Sequence, residues 1–263
     1  HDRSPGAMVR VALAPCSPFS VSEKLMRDTA ELAERHDVRL HTHLAETRDE
    51  VKTAQERFKA SPVAYLDSLG FFGPGVLAAH GVWLTPEDID LLKARGVAIS
   101  HNPESNMKLA SGVAPVSEML RRGIAVGLGT DGCASNNDLD MLLEMDTMAK
   151  LHKVSTMNPT AMDAVTALSI ATVGGARVLG LHDLIGTLEP GKSVEIPVVA
   201  SFNGEVFNTN GDTPLNGEIT VEYNSHNRSA KQSLPVSYTL YDRTSISWDD
   251  DRKEAAFITK ADT

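Results

Sequence analysis

Cysteine is nearly absent from these 263 residues: Cys16 and Cys133 are the only two. Two thiols cannot build a disulfide scaffold, which points to a reducing, cytoplasmic setting for the first part of the chain. Aromatic residues are scarce at 5%. No apolar run reaches the ~20 residues that cross a bilayer as a helix, and residues 1–6 hold no apolar targeting core. Basic charge is also short, with 25 Lys and Arg against 35 Asp and Glu, a net charge of -10 and a pI near 5.3. Neutralising phosphates needs clustered cations, so neither nucleic acid nor an anionic membrane is expected as a partner, and a small neutral or cationic substrate suits the chain better. No phosphate-binding glycine loop is expected, and with it no nucleotide-dependent chemistry.

What the chain does have is enough apolar residue, 41%, for a packed core. Residues 38–47 organise the rest: an apolar run carries His41 and His43 and is followed by Glu46. Strand side chains alternate, so the two imidazoles share a face, and Glu46 lies just past the strand end. Such a stretch is either a metal ligand beside a proton carrier, or a strand with one satisfied histidine and a surface glutamate.

Other strand ends bear on that choice. Residues 9–14 read as a buried strand, broken by Pro15 and Pro18 into a loop with Cys16 and Ser17. Ser20 and Glu23 are spaced as a capping box ahead of a helical repeat through Leu25, Met26, Leu32 and Ala33. Further strands are predicted over 76–80, 97–101 and 124–130, ending in His80, His101 and, just beyond the last, Asp131. Helices are predicted over 48–58, 61–69, from Thr85-Pro86 to Gly96, and over 116–120, 139–152 and 160–179, with a polar loop over 102–112. Strands alternating with helices imply right-handed βαβ units and a parallel sheet. Polar residues at the C-terminal ends of four strands favour an arc of a (β/α)₈ barrel over an open doubly wound sheet. The fold expected is therefore α/β, about five C-terminal βα units of a barrel over residues 1–192, then a small all-β segment over 193–263.

Five motifs in order carry a resemblance: His43-Leu44-Ala45-Glu46-Thr47, Ala79-His80-Gly81, His101-Asn102-Pro103-Glu104-Ser105-Asn106, Lys108-Leu109-Ala110-Ser111-Gly112, and the run from Gly129-Thr130-Asp131 to Asn137. Together they resemble the amidohydrolase superfamily, and within it the 5-methylthioadenosine/S-adenosylhomocysteine deaminases and their 8-oxoguanine deaminase and aminotriazine-type relatives. The similarity runs over residues 7–192, ending at Gly186 to Lys192. It implies one divalent metal, zinc or iron, held by two histidines of an early His-x-His strand, a histidine of the fifth strand and an aspartate of the eighth. By position His43 and Asp131 are the latter two ligands.

The resemblance further implies that Glu46 shuttles protons to and from the substrate, that Asp131 takes the proton of the attacking water, and that His80 holds that water or polarises the substrate. Cys16 stands where the methylthioadenosine-type enzymes have a substrate-binding histidine, so Cys16, Glu46, His80 and Asp131 are the candidate substrate contacts. His80 as a core histidine, Asp131 as a helix N-cap and Cys16 as a small buried residue remain the structural alternatives. His41 is expected to be structural, and His101 is open between the two roles.

The resemblance implies metal-dependent hydrolytic deamination of an aminopurine derivative of the 5-methylthioadenosine/S-adenosylhomocysteine type or, since the loop with Cys16 looks like that of the 8-oxoguanine deaminases, an 8-oxoguanine or aminotriazine-type amidohydrolase activity. The sequence before residue 9 cannot hold three strands, so the chain is expected to be the C-terminal part of a barrel, complete with an N-terminal half or associating with itself. The competing expectation is an inactive truncated barrel fused to a β interaction module. Seven of the 13 aromatic residues and none of the nine Met fall in the last 71 residues. Alternating runs at 218–223 and 236–241 predict antiparallel strands there, part of a β-sandwich, with Asp249-Asp250-Asp251 a solvated turn.

Overall fold

The computed structural model describes residue 7, residues 9–187 and, as backbone, four strands between 213 and 256. The chain divides into two compact units, His1–Lys192 and Ser193–Thr263. In the first, five strands lie in sequence order, β1 (Ala12–Leu13), β2 (Arg39–Leu44), β3 (Val76–His80), β4 (Ala98–His101) and β5 (Val126–Leu128), every neighbouring pair parallel. Between them run α1 (Glu23–His36), α2 (Arg48–Phe58), α3 (Pro62–Ser68), α4 (Pro86–Arg95), α5 (Pro103–Lys108) and α6 (Val116–Arg121). After β5 come α7 (Met141–Thr156), α8 (Ala164–Ser169), a π-helical turn (Ile170–Gly174) and α9 (Gly175–Leu179). This is the predicted α/β alternation, a five-stranded parallel arc.

In β2, Leu40, Thr42 and Leu44 are buried while His41 and His43 take the other face, so the period-2 rule sets which side of the arc carries chemistry. Leu40 and Leu44 join Met26, Leu66, Ile89, Leu92, Ile99, Met119 and Met148 in one continuous core between strands and helices. Thr85 caps α4 in a two-way capping box with Asp88, Pro86 fills the first turn, and Gly96 ends the helix in the left-handed conformation, as the sequence signals require.

Four expectations change. Residues 9–14 are not a buried strand: only Ala12 and Leu13 pair with β2, and Val9 and Val11 are exposed. Helix α1 starts later than the Ser20–Glu23 box implied, because Ser22 caps it by accepting from Leu25 N while Ser20 turns back to Ser17. The stretch 102–112 is not all loop, since Pro103 starts the short helix α5. The helix expected over 160–179 is broken into α8, a π turn and α9. The break has a packing cause. Gly174 and Gly175 press on β5: a Cβ on Gly174 would run into the Val126 carbonyl oxygen, and one on Gly127 would lie 3.1 Å from Gly175 Cα.

Two spellings of phosphate loops do occur, against expectation. Residues 127–132 read G-x-G-x-x-G, but the next helix begins only at Met141; no helix N-terminus follows directly to meet a phosphate. Residues 186–193 read G-x-x-x-x-G-K-S, and 188–193 lie outside the described residues, as does the end of the Gly186 to Lys192 motif. In the second unit β6 (Thr213–Ser225) pairs antiparallel with β7 (Arg228–Leu240), and β8 (Ser247–Asp249) with β9 (Glu254–Ala256). The alternating runs fall on β6 and β7, while Tyr241, Asp250 and Asp251 lie outside the described residues.

Candidate metal and proton-transfer site

Three strand ends meet at one place. His43 comes from the end of β2, His80 is the last residue of β3, and Asp131 follows β5 by three residues. Their ligand atoms all lie within 4.8 Å of one another, the span of donors around one ion. The His43 and His80 rings stack, centroids 5.4 Å apart and 20° from parallel. Glu46 Oε2 lies 3.7 Å from His80 Nε2, and Asp131 Oδ2 lies 4.0 Å from the same nitrogen.

Hydrogen bonds on the far sides of the rings fix which nitrogens are offered. His43 Nδ1–H donates to the Cys16 carbonyl at 2.7 Å, which leaves Nε2 with its lone pair free for an ion. His80 Nδ1–H donates to Asn106 Oδ1 at 2.8 Å. Its Nε2 is buried and has no hydrogen-bond partner among the described residues. A buried lone pair without a donor is costly; here it lies between two carboxylates, which attract a cation. Imidazole nitrogen with carboxylate oxygen is a donor set that zinc and iron accept, so the residues fit the metal the resemblance implies.

The carboxylates are held as firmly. Ser105 Oγ donates to Asp131 Oδ2 at 2.7 Å. Burial works to raise the Asp131 pKa, but the Ser105 hydroxyl, the Gly132 N–H and the nearby His80 and His43 outweigh it and hold the carboxyl below its usual range. Ser111 Oγ donates to Glu46 Oε1 at 3.1 Å, and Glu46 N donates to Glu50 Oε2. Burial raises the Glu50 pKa despite those backbone bonds.

Backbone geometry aims these side chains at some cost. Ala45, His80 and Asp131 all adopt positive φ, 48°, 74° and 61°, a left-handed conformation that costs about 1 kcal/mol or more for a residue with a Cβ. Gly129 is glycine for a steric reason: a Cβ there would lie 2.5 Å from Ser100 Oγ.

The structural alternatives fare differently. Asp131 caps no helix; Asp140 is the N-cap of α7. Cys16 is exposed, its Sγ is 3.6 Å from His43 Nδ1, and the shorter bond to that nitrogen comes from its backbone. His41 keeps an exposed surface on the His43 face, but the protein packed around its ring excludes enough water, with the charges of His43 and His80 adding to it, to lower its pKa. His101 points away into the core, fully buried, its Nε2 3.2 Å from His152 Nε2. Sequence reasoning missed Ser105, Asn106 and Ser111, which steady Asp131, His80 and Glu46. Each lies in a motif, but a Ser or Asn in a polar stretch carries no spacing signal.

The Amidohydrolase family matches residues 1–227. A 5-methylthioadenosine/S-adenosylhomocysteine deaminase of Syntrophobacter fumaroxidans is 50% identical over 192 residues, and a 5'-deoxyadenosine deaminase of Methanothermobacter thermautotrophicus is 49% identical over 191. Each alignment takes in 73% of this chain and 44% of the relative, so the chain spans less than half the length of these curated relatives. Among solved structures, an adenosine deaminase from Xanthomonas campestris with bound zinc superposes with a TM-score of 0.66 at 44% identity, covering 69% of this chain and 41% of that one. The family match over most of the chain, together with these relatives and the parallel arc, makes the protein a member of the amidohydrolase family.

Proposed function

We propose that this chain carries the proton-transfer side of a metal-dependent hydrolytic deaminase acting on an adenosine derivative. The convergence of His43, His80 and Asp131 within 4.8 Å, with Glu46 beside them, carries this reading. The names of the relatives supply the substrate class. A divalent ion at this place, zinc or iron by its donor set, would supply Lewis acidity that brings water's proton loss into the neutral range.

The chain's own residues then divide the work. His43 Nε2 and an Asp131 oxygen would hold the ion. Asp131, ionised at neutral pH, accepts the proton of the attacking water. Glu46, turned by Ser111 so that Oε2 faces His80, delivers a proton to the ring nitrogen next to the amino-bearing carbon. That carbon gains oxygen as the ring nitrogen takes the proton. Glu46, now a carboxylate, takes the hydroxyl proton of the adduct and passes it to the amine, so ammonia leaves and a carbonyl remains, and the proton held on Asp131 returns to Glu46. His80 Nε2 orients the attacking oxygen, and Cys16 lies at the substrate's edge.

The test starts with the purified chain. Elemental analysis after zinc loading and dialysis is expected to give about one zinc per chain, and His43→Ala or Asp131→Ala to release it. Ammonia release is then assayed from 5'-deoxyadenosine, methylthioadenosine, S-adenosylhomocysteine and 8-oxoguanine. Glu46→Gln is expected to keep the metal and lower turnover by at least a hundredfold. No zinc retention overturns the reading, as does full turnover in the glutamine variant.

A further inference from the structure

The loop between β5 and α7 holds Asp131 and is tied down from two helices. From α7, Glu144 is wholly buried, an expensive place for a carboxylate unless its oxygens are filled. Both are: Asn136 Nδ2 donates to Oε1 at 2.7 Å, and the Glu104 backbone N–H, at the start of α5, donates to Oε2 at 3.3 Å. The same Asn136 amide donates to the Thr130 carbonyl at 3.0 Å, the peptide immediately before Asp131. Asn136 Oδ1 accepts from the N–H groups of Asn137 and Asp138. From α5, Lys108 Nζ donates to the carbonyls of Ala134 and Asn136 and to Asn137 Oδ1, at 3.0, 3.0 and 2.8 Å.

None of these atoms touches the reaction centre, yet together they determine where the loop starts and ends. We infer that Glu144, acting through Asn136 and aided by Lys108, is a positioning residue that holds the Thr130–Asp131 peptide in its left-handed turn and so presents the Asp131 carboxylate to the ion. This rests on the reading proposed above and adds to it a device outside the site. The device needs a charged Glu144. Each of its oxygens faces an N–H, and a protonated carboxyl would aim its own O–H at one of them. Burial raises the Glu144 pKa to about 7, aided by the charges of Glu104 on α5 and Asp138 in the loop, with the Glu104 N–H and the Asn136 amide opposing. Of the elements packed against it, α5 brings Glu104 and Lys108 and the loop brings Asp138, while β5 and α8 carry no charged residue. The clamp therefore tightens as pH rises through neutrality.

Amide exchange over residues 130–138, corrected for the intrinsic pH dependence of exchange, tests this on the intact chain beside zinc affinity by chelator competition. Wild type is expected to be several-fold better protected at pH 8 than at pH 6. Glu144→Ala is expected to lose that protection and to bind zinc at least tenfold more weakly. Glu144→Gln keeps the shape and the bond to Asn136, so it is expected to fold, to bind zinc with intermediate affinity and to lose the pH step. A wild-type pH step in Glu144→Gln, or wild-type exchange and zinc affinity in Glu144→Ala, overturns the inference. Failure of the wild-type chain to bind zinc sinks the deaminase reading instead, while the exchange arms still decide whether the clamp exists.

Discussion

His101 and His152 show how far the surroundings of one residue decide its role. Both are buried and share one Nε2–Nε2 hydrogen bond, and His101 Nδ1 has no partner among the described residues. Burial, with the neighbouring His152 and His80, pushes the His101 pKa down to about 3, and burial pushes that of His152 to about 4. An unfolded imidazole titrates near 6.5, so below that pH the unfolded chain binds more protons than the folded one. Stability is complete above about pH 6.5 and falls as pH drops toward 4. At pH 5.5 each histidine costs about 1.4 kcal/mol. Urea midpoints measured from pH 7.5 to 5.5 are expected to fall, and His152→Gln is expected to remove about half of that fall. An unchanged slope in the variant refutes the assignment.

The same scale explains what was legible beforehand. His43, Glu46, His80 and Asp131 stood out because strand ends announce themselves by period, and because a family motif surrounds each. His101 sits at an equally good strand end and faces the core. Its different fate rests on His152, 51 residues away, which no local pattern connects to it. Glu144 was illegible for the opposite reason: a glutamate in a helix reads as solvated until packing encloses it.

At the scale of elements, propensity and capping were dependable where a helix stood on its own signals. Helix α4 opened at Thr85-Pro86 and closed at Gly96 as written. The helix after α7 was decided instead by what it touches. The π turn lets Gly174 and Gly175 meet the backbone of β5 with no side chain between. Gly174→Ala is expected to destabilise the protein by about 2 kcal/mol or more, because the added methyl meets a carbonyl oxygen of the sheet, which cannot swing aside. Arg177→Gly, exposed on the same segment, is expected to cost about 1 kcal/mol through helix propensity alone. Urea denaturation of the two variants separates these effects, and equal losses would remove the close-packing explanation.

For the whole molecule, the arc of five parallel strands was readable from the alternation of elements, and the second unit only as a tendency to pair antiparallel strands. No helix among the described residues is long and apolar enough to cross a membrane. If the strand ends hold zinc, binding is linked to the stability of the entire first unit, since β2, β3 and the segment after β5 must all be in place at once. A ligand that binds only the folded form at a hundred times its Kd adds about 2.7 kcal/mol. Calorimetry is expected to show a rise in Tm with zinc that Asp131→Ala abolishes. A rise of the same size in that variant would place the ion elsewhere.

The positive φ angles of Ala45, His80 and Asp131 have an outcome for laboratory evolution. Each is a site where glycine, or asparagine, would relax the backbone. At Asp131, which is partly exposed, a population of variants sorted only for heat resistance would therefore drift away from the parental residue, whereas His80 is buried and its loss would leave a cavity and an unpaired Asn106. Such a lineage would grow sturdier while discarding a carboxylate of the proposed proton-transfer site, and sorting for turnover would drive it back.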